Sequence, residues 1–540
     1  MNHFNCTDVP QQVDFIVVGG GSAGSVMASR LSEQGKYSVL LIEAGRDSDV
    51  HMPNSPLRDA SRLVLEEYNW HYQANVHGPS RYEAQLAPQQ APVDVSRRKS
   101  FAYRLGKVMG GSSAINGAVA LRPFPSDFQR WVELGCTDWS WDQVLPWFNH
   151  LENDVDYGQR REHGSDGPLK LLRPREVLPL ENGFAEACQK RGIPLVDDLN
   201  SGEGEAVGAV PANVIAGAER CDLYRSYLAP VRQRENLYIL TEAEVEQVLF
   251  NGLCAIGVKV LEHGEYHSLY AGHVVLCAGA IGSAAILQRS GIGDARHLKQ
   301  LDISVKVNLP AVGKNLSDHT SVVLWALPEP DNNLTATPWR QMAARLSSGV
   351  DQQVDVQLGL MNNVASHTVP GFHNRTDCPY LVGASIMLMR PESRGRVFIT
   401  SRSAQQLPEI DLPLACDQRD IARLAGGVRQ MWQIIHQPEV AQYLRGIHFW
   451  SENIIDNERV ISNAIQNLLS PGWHASGTVR MGSEHDATTA ANQQGRVHGV
   501  NQLTVADAAL FPQITSSPTN LTTVMLAERI AASLFNQGPL

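Results

Sequence analysis

Eighteen histidines and eight cysteines give this 540-residue chain many side chains that could do chemistry. A neutral imidazole can serve as a base near pH 7, because its ordinary pKa is about 6.5. Composition alone singles out none of the eighteen. The cysteines form no CxxC pair, and none stands beside a histidine at metal-ligand spacing, so no metal site is expected. Glycines are the residues whose spacing does specify a chemistry. In Gly19-Gly20-Gly21-Ser22-Ala23-Gly24, Gly19 allows a tight turn and Gly21 lets backbone approach a pyrophosphate. Gly24 lets the following helix pack close to the preceding strand. Glu43, followed by Ala44, lies 19 residues beyond Gly24, where a carboxylate can accept hydrogen bonds from ribose hydroxyls.

The elements needed to position these residues are also written in the chain. Asp14 to Val18 is short, β-branched and apolar, which predicts a buried parallel strand. A helical pattern runs from Ser25 to Gln34, and Val39 to Ile42 reads as a second strand ending at Glu43. The helix start offers free N–H groups and a positive dipole end to phosphates. Strand, turn, helix, strand and acid in register predict a dinucleotide site, with NAD and FAD both open at this point.

The whole chain bounds the answer further. Its length suggests two domains. Apolar residues at 43% and charged residues at 19% are the proportions of a soluble globular protein. A net charge of −11 argues against nucleic acid as a partner. Residues 1–12 lack the basic start and apolar run of a signal peptide, and no apolar stretch approaches the roughly 18 residues of a membrane span. Sparse cysteines suit free thiols in a reducing compartment, so a cytoplasmic protein is expected.

Five ordered blocks carry a resemblance. GGGSAGSVMASRL with LLIEAG (Leu40 to Gly45) opens the chain, and GKVMGGSSAINGA spans Gly106 to Ala118. CAGAIGSAAILQRSGIG spans Cys277 to Gly293, and LPAVGKNLSDH spans Leu309 to His319. WHASGTVRMG, VADAALFP and TNLTTVMLAE lie between Trp473 and Glu528. Together they closely resemble the glucose–methanol–choline (GMC) oxidoreductases over essentially the whole chain. The resemblance implies an α/β, α+β overall, architecture. Its parts are a Rossmann-type FAD-binding domain and a substrate domain built on an antiparallel sheet flanked by helices. Within the family the layout is nearest to small bacterial oxidases of furanic and benzylic alcohols.

The resemblance also assigns residues. Met109, Gly111, Ser112, Asn116, Gly117 and Ala118 would sit at the flavin, with Asn116 near the isoalloxazine. Ala278 and Gly279 belong to the second signature. Val245 would lie against the adenine, and Asp507 and Ala508 along the pyrophosphate and ribityl chain. Trp473 and Thr522 complete the expected cofactor set. Some relatives attach FAD through a histidine just before the Asn116 position; here it is Ile115, so FAD is expected to be non-covalent. His474 matches the catalytic base, and Asn520, 46 residues on, the second catalytic position. His474 would take the hydroxyl proton of a small alcohol as hydride leaves for flavin N5. O₂ is the expected acceptor, with a dehydrogenase using another acceptor or a non-redox hydroxynitrile lyase as alternatives. Thr522 stands where the family has proline, which removes a rigid φ beside Asn520 and would leave a differently shaped pocket.

A single FAD must touch motifs scattered along the chain, so the flavin domain is expected to be discontinuous: 13–155, 206–316 and 465–540. Residues 156–205 and 317–464 are assigned to the substrate domain. The Pro- and Arg-rich segment 46–100 is expected to form a lid over the cofactor. Val354 to Leu360 and Arg396 to Thr400 alternate like strands with one solvated face, and Asp331 to Asp351 reads as a mobile stretch.

Overall fold

The structure, a computed structural model, describes residues 5–62, 65–77, 99–330, 340–369, 371–372 and 378–539. Gln12–Val18 forms a strand because its apolar, β-branched residues are enclosed by a parallel neighbour on each edge: Val39–Ile42 and the end of Glu265–Leu276. The sheet runs Ala243–Asn251, Cys254–Glu262, Glu265–Leu276, Gln12–Val18, Val39–Ile42, Leu237–Leu240. Glu265–Leu276 changes role along its length. Its first half pairs antiparallel with Cys254–Glu262, and its second half pairs parallel with Gln12–Val18 and Leu503–Val505. The parallel strands therefore end together at Val18, Ile42, Leu276 and Val505, as strands do beside a nucleotide in open α/β sheets.

The helix after the glycine turn spans Ser22–Leu31, three residues earlier at both ends than its sequence pattern suggests. It is buried between the sheet and the C-terminal helix Thr519–Gln537. A Cβ on Gly24 would stand 1.7 Å from the Gly19 carbonyl oxygen, so only glycine fits at that crossing.

A second, eight-stranded sheet runs Leu444–His448, Thr320–Pro328, Tyr380–Leu388, Val354–Ala365, Met342–Ser347, Ala206–Ala209, Leu195–Val196, with Ser470–Pro471 beside Thr320–Ser321. It is mainly antiparallel. Helices Pro179–Lys190 and Gln418–Ile435 pack on it. Three sequence expectations change here. Val354 to Leu360 does not have a solvated face: residues 355–360 are all buried, and the strand runs on to Ala365. Ala206–Ala209, expected in the flavin stretch, pairs with Met342–Arg345 in this second sheet. Within Asp331 to Asp351, Met342–Ser347 is a strand held on both edges rather than a mobile stretch; residues 331–339 lie outside the described residues.

Arg396–Phe398 joins Glu409–Asp411, Tyr72–His77 and Lys99–Tyr103 in a smaller sheet. The expected lid thus has regular structure where it is described; residues 63–64 and 78–98 of it lie outside the described residues. All eight cysteines are unpaired. Among the described residues no helix is long and apolar enough to cross a membrane.

Candidate active site

One cavity of about 1450 Å³ runs from the ends of the parallel strands to the inner face of the second sheet. Gly19, Gly21, Ser22 and Ala23 line it from the first turn, with Glu43 and Ala44 beside them. The N–H groups that open the helix have no partner within it, and Ser22 and Ala23 there line this space. Gly111, Ser112, Asn116 and Gly117 line it from the second glycine segment. Ala278, Gly279, Val245, Asp507 and Ala508 complete that half. The two glycine turns meet backbone to backbone: a Cβ on Gly111, whose φ is +54°, would lie 2.6 Å from Gly21 Cα.

The acids at these turns hold the protein to itself. Glu43 accepts from Gly20 N–H at 2.7 Å and from Gly45 N–H at 2.8 Å. Burial pushes its carboxyl up to about 7, partly offset by those two donors. Asp507 accepts from Gly279 N–H, Ser283 Oγ–H and Ala509 N–H, and burial raises it to about 6. It ties the second signature to the end of Leu503–Val505. Asn116 Oδ1 accepts from Ala118 N–H at 2.9 Å and from Arg220 Nη1 at 3.2 Å.

Four expected cofactor residues do not line the cavity. Gly24 is inside the helix crossing. Met109 is fully buried under the first turn, its Sδ 2.5 Å from where a Cβ on Gly20 would be. Ala118 lies behind Gly117 in the left-handed region, with φ +55°. Thr522 points into the core with its Oγ1 unpartnered, and Thr523 lines the cavity instead. Because Thr522 lies inside the helix Thr519–Gln537, the helix sets its backbone, and no proline is required for that.

His474, Asn520 and Trp473 also line the cavity. His474 Nδ1 is 2.8 Å from Nδ1 of His319, and His319 Nε2 is 2.9 Å from the Thr515 carbonyl oxygen. A carbonyl only accepts, so the neutral His319 ring carries its proton on Nε2 and accepts at Nδ1. His474 must then donate from Nδ1, which leaves its Nε2 lone pair as the basic atom. No hydrogen bond reaches that nitrogen among the described residues. Burial, followed by the nearby His319 and Arg340, holds His474 well below its ordinary value, so it is neutral at pH 7.

The ring is fixed from behind. Its backbone N–H donates to Asp318 Oδ1 at 2.8 Å, and Tyr103 O–H donates to Asp318 Oδ2 at 2.6 Å. Burial raises Asp318 to about 7 against those donors. Ser22 Oγ–H donates to Asn520 Oδ1 at 2.7 Å, which leaves the amide Nδ2 as the donor available to the cavity. Asp318 and His319 sit inside the segment LPAVGKNLSDH, yet sequence reasoning gave neither a role. It also missed Arg340, Gln357 and Ser385, which line the cavity from the second sheet and its edge.

Fold and site together are those of a nucleotide-dependent enzyme with a buried imidazole on the wall of one large cavity. The GMC oxidoreductase family models match residues 13–321 and 391–527, and the chain belongs to that family. It is 32% identical to a 5-(hydroxymethyl)furfural oxidase of Methylovorus sp. (strain MP688), over 97% of this chain and 99% of that one. It is 34% identical to an oxygen-dependent choline dehydrogenase of Pseudomonas aeruginosa (strain LESB58), over 98% and 96%. The structure of pyridoxine 4-oxidase from Mesorbium loti superposes with a TM-score of 0.84 at 28% identity, covering 96% of this chain and 98% of that one.

The chain is therefore an FAD-dependent oxidoreductase of alcohols. Its residues fit that cofactor. Paired glycine turns leave bare backbone, a helix begins at the cavity wall and would offer its N–H groups to phosphates, and Gly279, with φ +74°, has no atom within 4 Å of a Cβ built on it.

Proposed function

We propose that the enzyme oxidises a primary aromatic-type alcohol, with His474 as base, Asn520 as oxygen anchor and O₂ as electron acceptor. The observation that carries this reading is the Thr515–His319–His474 chain, which leaves one imidazole nitrogen basic inside the cavity. Bound FAD supplies a two-electron acceptor for hydride. His474 Nε2 takes the hydroxyl proton, and Asn520 Nδ2 donates to the carbinol oxygen as charge builds there. His319 keeps the imidazole from turning, and Asp318, itself bonded to Tyr103, holds the His474 backbone.

The cavity wall supports an aromatic substrate. Trp325, Met361 and Phe101 line it, with Trp473, Phe449 and Tyr380 exposed along it. Relatives named as oxidases support O₂. Eight unpaired thiols are consistent with the cytoplasm. The assignments of Gly19, Gly21, Ser22, Ala23, Gly111, Ser112, Asn116, Ala278, Gly279 and Val245 to FAD belong to the same reading.

Anaerobic addition of benzyl alcohol should bleach the flavin, and the same turnover in air should yield peroxide in equal amount. Bleaching without peroxide would make the enzyme a dehydrogenase, and an unchanged flavin spectrum during turnover would make it a lyase. Because Ile115 cannot form a covalent flavin bond, acid precipitation should release all FAD into the supernatant.

A further inference from the structure

We propose that Gln357 determines specificity, its side-chain amide reading a second hydroxyl on the alcohol being oxidised. The inference rests on the reading of the enzyme as an oxidoreductase of aromatic-type alcohols, and names what else the substrate carries. Gln357 lies in Val354–Ala365 of the second sheet and is part of the cavity wall. It is only 2% exposed, yet no hydrogen bond reaches its side-chain amide among the described residues. Buried amides nearly always have partners, because the hydrogen bonds they gave up to water are otherwise lost outright.

Its neighbours use their polar groups elsewhere. Ser321, Met387, Gln357 and Arg345 lie in one cross-strand row. Ser321 Oγ–H donates to the Ile386 carbonyl at 3.2 Å. Arg345 donates to the carbonyls of Leu199 at 3.2 Å and Ser516 at 3.0 Å. Met387 offers only a thioether. Gln357 is paired on both edges of its strand, so the sheet fixes where the amide sits.

The unmet capacity defines the ligand. The amide has an acceptor oxygen and a donor nitrogen. A hydroxyl donates to Oε1 and accepts from Nε2, so it satisfies the amide in either orientation. A carboxylate, ester or ether only accepts, and leaves Oε1 bare. Met387, Val323 and Met361, also on the wall, suit the aromatic body that carries this hydroxyl.

The test follows anaerobic flavin bleaching in FAD-loaded enzyme, which does not depend on the final electron acceptor. It compares 3- and 4-(hydroxymethyl)benzyl alcohol with 3- and 4-ethylbenzyl alcohol, which match them in shape and lack the second hydroxyl. At least one diol should bleach the flavin about tenfold or more faster than its ethyl partner at low concentration, against the factor of about two that a second carbinol allows. Gln357→Met and Gln357→Leu should retain FAD and bring that ratio down to about two. They should do so by raising the half-saturating diol concentration rather than by lowering the limiting rate, as expected where a remote binding contact is lost. Equal rates with diol and ethyl compound in the native enzyme would mean that water serves the amide, and overturn the inference even where neither variant folds. A preference that survives in either variant overturns it as well, and leaves the alcohol reading intact. Failure of every alcohol to bleach the flavin overturns the alcohol reading, and the role of Gln357 with it.

Discussion

The proposed chemistry turns on one hydrogen atom: the proton on His319 that meets the Thr515 carbonyl. Through it, the His474 tautomer is set by the fold rather than by solvent. His474→Ala should keep FAD and lose about 10²–10⁴ in kcat, the scale of general-base help. His319→Phe keeps a ring of similar bulk but no acceptor for His474 Nδ1–H. Its kcat should fall about ten- to a hundredfold, as when an orienting partner of a catalytic imidazole is lost. The pH profile separates this from mere structural damage. Burial, His319 and Arg340 all lower His474, while Asp318 meets only its backbone N–H and is itself bonded to Tyr103. The base works when neutral, so kcat/KM should hold as pH falls through 6.5 and drop only below it. Removing the positive charge of Arg340 raises the imidazole, so Arg340→Met should move that acid limb upward. A limb at or above 6.5 in the native enzyme would remove His474 from the role of buried base.

At the scale of elements, the two glycine turns act as one device because they touch. Gly111→Ala puts a Cβ 2.6 Å from Gly21 Cα at a residue with φ +54°, so backbone must move. Overpacking of this kind costs roughly 1–3 kcal/mol, and more where strain at positive φ is added. The variant should melt lower and retain little FAD after gel filtration. Gly35→Ala shares a positive φ of +65° but has nothing within 4 Å, so its flavin content should match the native protein. Such turns are readable in sequence because a missing side chain is recorded in the letter itself. Val39–Ile42 was legible at its true bounds for a related reason, its short apolar run between turn residues. The inner face of the second sheet was not legible. Alternation says that Ser321, Val323 and Trp325 share a face, and it does not say that a cavity rather than water lies against it. Thr522 and Thr523 were confused because one residue of helix turns a side chain by about 100°. Arg340 carried no local pattern, since its contacts with Ser385 and Gly359 are 45 and 19 residues away in the chain.

At the scale of the whole molecule, a buried ionic knot ties together segments far apart in the chain, from Arg122 to Asp198, and takes no part in the cavity. His163 Nδ1 lies 2.9 Å from Glu152 Oε1, and Nε2 lies 2.8 Å from Asp198 Oδ2. Arg122 pairs with Glu152, and Arg173 with Asp154 and Asp198. Glu152, Asp154 and His163 are close enough to hold a metal ion. With both ring nitrogens on carboxylates, however, this histidine is a double donor and hence a cation, which opposes metal binding. Burial alone would lower His163, but Asp154, Asp198 and Glu152 overcome it and raise the imidazole to about 10. Burial would raise Asp198, but His163 and Arg173 bring it to about 2. The signs follow from linkage. A raised histidine stabilises fully below its unfolded value of 6.5 and loses that contribution as pH rises through about 10. A depressed aspartate stabilises above 3.8 and loses it as pH falls through about 2. His163→Gln should therefore cost on the order of 3–5 kcal/mol, the scale of breaking a buried pair. The gap in melting temperature between native and variant should be widest between pH 3.8 and 6.5 and should narrow steadily toward pH 10. A gap that stays constant across that range would show that His163 acts by packing alone, and a melting temperature that falls with chelator would show that a metal, rather than a proton, holds the knot.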